Sequence, residues 1–347
     1  MTALPPGGIP AALAAALLFG IATPLAKLLL GPIDPWLLAG VLYLGSGAGL
    51  AVLRLVRGAG AGKLARGDIP WLVGTIASGG AVGPVLLMWG LAHTRASAAS
   101  LLLNAEGVLT ALMAWFVFRE NIDRRIALGM ALIVAGALAL SWPTEGRFVA
   151  TLPSLAIVGA CLAWVVDNNL TRKVALADPV SIAMLKGVVA GTVNVALALA
   201  IGTPLPSPGP LAAAAILGFV SYGVSLVLFV TALRDLGTAR TGAYFSTAPF
   251  AGAVLSVLML GESVTWQLVA AALLMGIGVW LHLTECHVHL HSHEAIDHEH
   301  EHEHDIHHLH EHPYPVAPGT RHSHMHHHEP MTHSHEHYPD AHHRHSH

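Results

Sequence analysis

The sequence predicts an all-α membrane protein: ten transmembrane helices forming two inverted five-helix repeats, followed by a disordered C-terminal tail. Three observations predict it. The 347-residue chain is 54% hydrophobic and 11% charged, with a mean hydropathy of +0.58, whereas a soluble domain carries about 25% charged residues. The charge is also unevenly spread, since 24 of 26 histidines and 11 of 21 acids lie at or beyond Glu285. Before that point the chain is a series of punctuated apolar runs, and the second half of the series echoes the first.

The runs fall at about 9–30, 35–56, 69–92, 96–118, 125–142, 152–170, 179–201, 210–233, 239–260 and 264–283. Each is near the roughly 17–25 residues that cross a bilayer as a helix. The first follows a neutral start without a basic leader, so it is expected to stay as a span rather than be cleaved. Small residues recur inside the runs, as in GSGAG (45–49) and ASGGAVG (77–83). They are expected to let helix backbones approach closely in lipid, where no hydrophobic force holds helices together.

Charge in the connections sets the orientation. With a cytoplasmic N-terminus, eleven basic residues face the cytoplasm: Arg54, Arg57, Lys63, Arg66, Arg119, Arg124, Arg125, Arg172, Lys173, Arg234 and Arg240. Arg95 and Arg147 alone face the other side. Both termini are therefore expected in the cytoplasm, with the chain in the plasma membrane.

The repeat is read directly. LAHTRASAASLLLNAEGVLTALMAWFVFRE (91–120) lies without a gap over LRDLGTARTGAYFSTAPFAGAVLSVLMLGE (233–262), and Gly136 then falls opposite Gly278. Upstream, GPIDP (31–35) has its counterpart in LADP (176–179). The halves are 1–143 and 150–283, with a tail over 284–347. An odd number of helices per half turns the second half over in the membrane, and such inverted repeats place a substrate site near the midplane between them.

On these residues the chain resembles the EamA type of the drug/metabolite transporter superfamily. The marks are ALLFGIATPLAKLLL in the first helix, the 91–120 segment, and TAPFAGAVLSVLMLGESVTWQLVAAALLMGIGVWL closing the second repeat. The resemblance covers about 9–283. It implies transport of a small metabolite by exchange, proton coupling or facilitated diffusion, and export is the expected direction. One departure stands out: Gly107 follows Glu106 where the family usually has proline, while the second repeat keeps Pro249.

Ionisable residues inside spans cost roughly 2.5–3.5 kcal/mol on insertion scales, so each is a candidate for substrate or ion coupling. Glu106 lies midway along the fourth run, Asp167 and Asn168 in the sixth, Lys186 in the seventh, and Lys27 at the end of the first. They read either as a polar path or as interhelical ion pairs, Glu106 or Asp167 with Lys186. Lys27 also reads as a snorkelling side chain. Glu120 and Glu262 read as helix caps or partners of arginine. Trp89, Trp115, Trp164, Trp266 and Trp280 read as interface belts or packing.

Two cysteines, Cys161 and Cys286, give no disulfide framework. There is no P-loop and no GxSxG, so enzymatic chemistry is not expected, and no cofactor is expected in the membrane core. No basic patch calls for a nucleic acid. The expected partners are the lipid bilayer, a small-molecule substrate and divalent metal ions, with the oligomeric state open.

The tail has almost no apolar content with which to build a core. Alternating imidazoles and carboxylates suit Zn, Ni, Co or Cu. The candidate ligands are Cys286, His287, His289, His291, His293, His298, His300, His302, His304, His307, His308, His310 and His312. Three functions follow. The favoured one is a metabolite exporter with a metal-binding, regulatory tail. The second is a transporter of a divalent metal or its chelate. The third is a membrane-anchored metal buffer.

Overall fold

The computed structural model describes residues 8–57, 66–118, 124–141, 151–171, 174, 178–284, 288–293, 296–302, 322–328 and 331–336. Glu120, Cys286, His287, His304, His307, His308, His310 and His312 lie outside the described residues. The chain divides into a helical unit, Met1–Glu285, and a tail unit, Cys286–His347.

The helical unit runs α1 (Gly8–Gly20), α2 (Ala22–Leu29), α3 (Pro35–Arg57), α4 (Ile69–Thr75), α5 (Gly83–Ala92), α6 (Ala96–Leu102), α7 (Ala105–Phe118) and α8 (Arg124–Ser141). It continues with α9 (Thr151–Thr171), α10 (Pro179–Ala200), α11 (Pro208–Gly218), α12 (Ser225–Phe245), α13 (Ala248–Leu260) and α14 (Trp266–Leu283). Two π-helical turns, Ile76–Val82 and Phe219–Val224, join α4 to α5 and α11 to α12. Carried upstream without a gap from the match of 91–120 to 233–262, these turns fall on one another. Seven helical stretches have the length and apolarity of a membrane span, and α13 and most of α14 are shorter apolar helices. The chain is an integral membrane protein.

Local chemistry starts the helices where the sequence repeats. Asp34 and Asp178 each precede a proline that opens a helix, α3 and α10. Asp34 Oδ1 accepts from the Trp36 N–H at 2.9 Å, and Asp178 Oδ2 from the Ser181 N–H at 3.0 Å. Each carboxylate thus satisfies a donor that a helix start leaves open, and each proline sits where no donor is needed.

Small residues then bring repeat-related helices together. Gly40 lies against Val195, Gly47 against Gly187, and Gly191 against Leu44, so α3 and α10 run antiparallel. A Cβ on Gly187 would fall 2.7 Å from the Gly47 Cα, a contact only glycine permits. The pair α8 and α14 is antiparallel as well: Gly136 faces Met275 and Gly278 faces Ile133 and the Gly129 carbonyl. Gly136 and Gly278 are the residues that the sequence repeat aligns.

Within α12 the chain doubles back. The Phe229 and Phe245 ring centroids are 4.7 Å apart, whereas sixteen residues of straight helix would separate them by about 24 Å. Ala232, Leu236 and Tyr244 also gather on Ala12 of α1. The reversal agrees with the boundary between the runs ending at 233 and beginning at 239.

In the tail, four short strands stand where the sequence predicts no regular structure: β1 (Val288–His293), β2 (Ile296–His302), β3 (His322–His328) and β4 (Met331–Glu336). β1 pairs with β4 and β2 with β3, both antiparallel. The physical reason is that HxHxH is a period-two pattern. Low apolar content argues against a core, but a ladder needs only extended backbone and a consistent register.

Candidate functional site

The site is built around the first π-helical turn. A π turn releases carbonyls from the regular i→i−4 ladder, and in a membrane each must find another donor. The Gly79 carbonyl accepts from the Tyr43 hydroxyl at 2.8 Å and from Trp164 Nε1 at 3.1 Å. Asn194 Nδ2 donates to the Ala81 carbonyl at 3.2 Å and the Gly80 carbonyl at 3.4 Å. Helices α3, α9 and α10 are thereby fastened to one unwound turn.

Against that turn lies a buried ion pair. Lys186 Nζ of α10 donates to Asp167 Oδ2 of α9, and the residues are 7% and 3% exposed. Thr171 Oγ1, one turn on, donates to Asp167 Oδ1 at 3.2 Å. The carboxylate occupies the space a side chain at Gly79 would need, and the Lys186 stem passes Gly80. The SGG of 78–80 is therefore a seat for the pair. Charges this deep persist because each is paired and hydrogen-bonded.

Glu106 stands beside the pair but outside it. Its Oε1 accepts from Asn168 Nδ2 at 2.8 Å; Oε2 has no hydrogen-bond partner among the described residues. Glu106 is half-buried, and Asn168 and Thr110 are exposed. The helix breaks immediately before it, at Leu103–Asn104, where the Glu106 and Gly107 N–H groups reach the Leu103 and Asn104 carbonyls at 3.1 Å each. Asn104 Nδ2 donates back to the Leu101 carbonyl at 2.9 Å, and the Cys161 thiol lies 3.9 Å from the Leu103 carbonyl. The break thus forms without proline at 107. In the other half it falls at Ser246–Thr247, ahead of Pro249.

An aromatic group continues from Trp164, one helical turn from Asn168. Phe19 meets Trp164 at 6.2 Å between centroids, Tyr222 at 5.8 Å and Phe245 at 5.4 Å; Tyr43 meets Tyr222 at 5.6 Å. Trp164 is 7% exposed. It packs in the core, one of the two readings the sequence offers, and its N–H also serves a carbonyl of the π turn. Trp89, Trp266 and Trp280 are exposed, as belt residues are.

Helical ends elsewhere are tied to one another. Lys27 Nζ donates to the Leu91, Ala92 and Thr94 carbonyls at 2.6, 3.1 and 2.8 Å. It caps the end of α5 and does not join the Glu106 group. Glu262 accepts from the Ala96 N–H at 2.7 Å, the Ser97 N–H at 3.0 Å and the Ser97 hydroxyl. It is the cap the sequence suggests, but for α6 in the other half. Arg95 donates to Ser263 Oγ at 2.6 Å in the same connection. Asp178 carries a further tie, with Arg54 at 3.6 Å. Burial alone would raise the Asp178 pKa, but donors from Ser181 and the Arg54 charge hold it below its ordinary value. No group of three His, Cys, Asp or Glu able to hold a metal occurs among the described residues of the helical unit.

A family model described as the EamA-like transporter family matches the chain twice, at residues 6–142 and 151–284. The chain belongs to that family. An "Uncharacterized transporter" of Methanothermobacter thermautotrophicus is 27% identical over 287 residues, covering 77% of this chain and 83% of the relative. A solved structure described as "Crystal structure of protein" superposes with a TM-score of 0.61 at 19% identity, covering 79% of this chain and 98% of the other. The first likeness supports a membrane transporter, and the second shows the shared fold alone.

Of the five core residues singled out in the sequence, this EamA-family structure brings Glu106, Asp167, Asn168 and Lys186 together and leaves Lys27 apart. Sequence reasoning missed Tyr43, Gly79 and Thr171. The one available signal was a run of small residues, SGG, inside an apolar span. His289, His291, His293, His298, His300 and His302 lie on strands of the tail.

Proposed function

We propose that the chain is a secondary transporter, working as an exporter of a small polar metabolite. Its ten spans form two inverted five-helix repeats, and the substrate passes Glu106, Asn168 and the Asp167–Lys186 pair. The observation that carries the reading is a lone carboxylate, Glu106, at mid-span. One oxygen is oriented by Asn168, and the side chain is only half-buried. A polar residue exposed at that depth is excluded from hydrocarbon and belongs on a water-filled path. The antiparallel packing of α3 with α10 and of α8 with α14 supports the inversion, as does the double family match. The basic bias of the connections supports cytoplasmic termini in the plasma membrane.

The test is solute flux in liposomes containing the purified full-length chain, with wild type and Glu106→Gln reconstituted in equal amounts. Loss of flux with unchanged protein level is expected; equal flux would reduce Glu106 to packing.

A metal-binding role for the tail rests on register. In β1–β4, His289 pairs with His335 and His291 with His333. In β2–β3, His298, His300 and His302 pair with His326, His324 and His322. Positions two apart share a face of a ladder, so each ladder gathers imidazole-bearing positions on one face, and divalent Zn, Ni, Co or Cu is the ligand class. The cargo is the metabolite rather than the metal, and the tail's load regulates its passage.

A further inference from the structure

We propose that the Glu106 site takes a small organic monocation, an amine carrying an aromatic or apolar group. The proposal rests on the transport reading and adds the charge class of the cargo.

Charge balance comes first. Asp167 and Lys186 neutralise each other, with both side chains buried. Glu106 has only a neutral partner, the Asn168 amide, on one oxygen. Among the described residues its second oxygen is unmatched, so with Glu106 ionised the site carries one negative charge in excess. Of the other basic side chains described in the spans, Lys27 is taken up by three carbonyls and Arg54 by Ser181 and Asp178. Among the described side chains a carboxylate on the cargo would therefore meet Glu106 without a free cation to receive it, so an anion is repelled and a zwitterion half-repelled.

The aromatic group supplies an independent argument. Trp164 and Asn168 are four residues apart on α9, so both project from one helix face. From Trp164 the rings of Phe19, Tyr222 and Tyr43 follow within 5.6–6.2 Å of one another. Tyr43 and Trp164 have committed their polar atoms to the Gly79 carbonyl. Both are buried, whereas Phe19 and Tyr222 beside them are half-buried and offer ring surface, whose negative faces attract an ammonium or its neighbouring carbons. The Tyr222 hydroxyl has no partner among the described residues and is the one uncommitted phenol of the group. Carboxylate at one pole and ring faces at the other describe an arylalkylamine better than a sugar, a nucleotide or a bare metal ion.

Three probes of one skeleton separate the charge classes: phenethylamine (cation), phenylalanine (zwitterion) and 3-phenylpropionate (anion). Equilibrium binding to the full-length protein in lipid nanodiscs is read by calorimetry, and flux in proteoliposomes is measured alongside. Phenethylamine is expected to bind at least about tenfold more tightly than either of the others. Glu106→Gln is expected to abolish that preference, and Glu106→Asp to keep most of it. Should Glu106→Gln not fold, Asn168→Leu, which removes the group orienting the carboxylate, is expected to weaken phenethylamine binding while leaving the other two probes unchanged. Equal binding of all three probes, preference for the anion or zwitterion, no binding of phenethylamine, or an undiminished Glu106→Gln overturns the proposal. Binding of the cation without flux overturns the transport reading and leaves the binding site standing.

Discussion

Removing either member of the Asp167–Lys186 pair is expected to do far more harm than removing both. The residues are 3% and 7% exposed, and among the described residues Lys186 is within hydrogen-bond reach of Asp167 only. Lys186→Met strands a buried carboxylate whose one remaining donor is Thr171. Asp167→Leu strands an ammonium against the uncharged turn at Gly79–Gly80. Breaking a buried pair from one side costs about 3–5 kcal/mol, whereas replacing both members by apolar groups of like volume is often neutral. The double variant Asp167→Leu/Lys186→Met is therefore expected within about 1 kcal/mol of wild type, which makes the coupling energy at least about 5 kcal/mol. Equilibrium unfolding of the four proteins in mixed micelles, followed by tryptophan fluorescence and circular dichroism, closes the cycle. If the two single losses simply add in the double variant, the charges do not depend on one another and the pairing argument fails. Flux is a separate readout. A stable double variant that still transports would show that the pair shapes the path without touching the cargo.

Other perturbations follow from the same contacts. Gly79→Ala puts a methyl where the Asp167 carboxylate lies and is expected to cost about 1–3 kcal/mol by overpacking; the same micelle unfolding measures it, and a neutral result would mean the turn can move away from α9. Asp178 has a lowered pKa, so its contribution is present above the ordinary aspartate value and fades as pH falls through its folded value. The stability gap between wild type and Asp178→Ala, about 1 kcal/mol at neutral pH from the lost cap, should therefore close below about pH 3.9, and a gap that widens in acid contradicts the assignment. Truncation after Glu285 is expected to leave flux measurable and to remove Zn²⁺ binding in calorimetry. Within the tail, His324→Ala with His326→Ala should lose more Zn²⁺ than His310→Ala with His312→Ala, because the first two sit opposite His300 and His298 in the β2–β3 register; equal losses would mean that register is irrelevant to binding.

Much of the fold is legible in the sequence, because crossing a bilayer imposes length and apolarity on every helix. Several helix starts were legible for the same kind of reason: Asp34-Pro35 and Asp178-Pro179 state the cap and the first turn outright. The site was legible only as a set of suspects. Glu106, Asp167 and Lys186 were conspicuous because charge within a span is costly, but which carboxylate took the lysine depended on the approach of α9 to α10. The partner of Glu262 could not be read either. A local cap was the reasonable expectation, yet its donors lie 165 residues and more away, on Ala96 and Ser97. The π turns left no pattern at all. Runs of Gly, Ala and Ser serve close packing as readily as unwinding, and only the positions of Tyr43, Trp164 and Asn194 distinguish the two.

Duplicated scaffolding and unduplicated chemistry together explain where the site lies. Both matched segments carry a π-helical turn at the aligned position, and both break a later helix, at Leu103–Asn104 and at Ser246–Thr247. Yet the aligned turn in the second half has Ser221 where the first has Gly79, and Ala248 aligns with Glu106. Among the described residues the buried Ser221 hydroxyl has no hydrogen-bond partner. Glu106 comes from the first half and Asp167 and Lys186 from the second, so a second set of the three would double a desolvation cost of several kcal/mol per ion. One copy suffices if the cargo is met by one carboxylate at a time. The second turn then contributes Tyr222, an aromatic face rather than a charge. A symmetric frame with one acidic pole and one aromatic pole gives a bound molecule a single orientation, which two identical half-sites would not do.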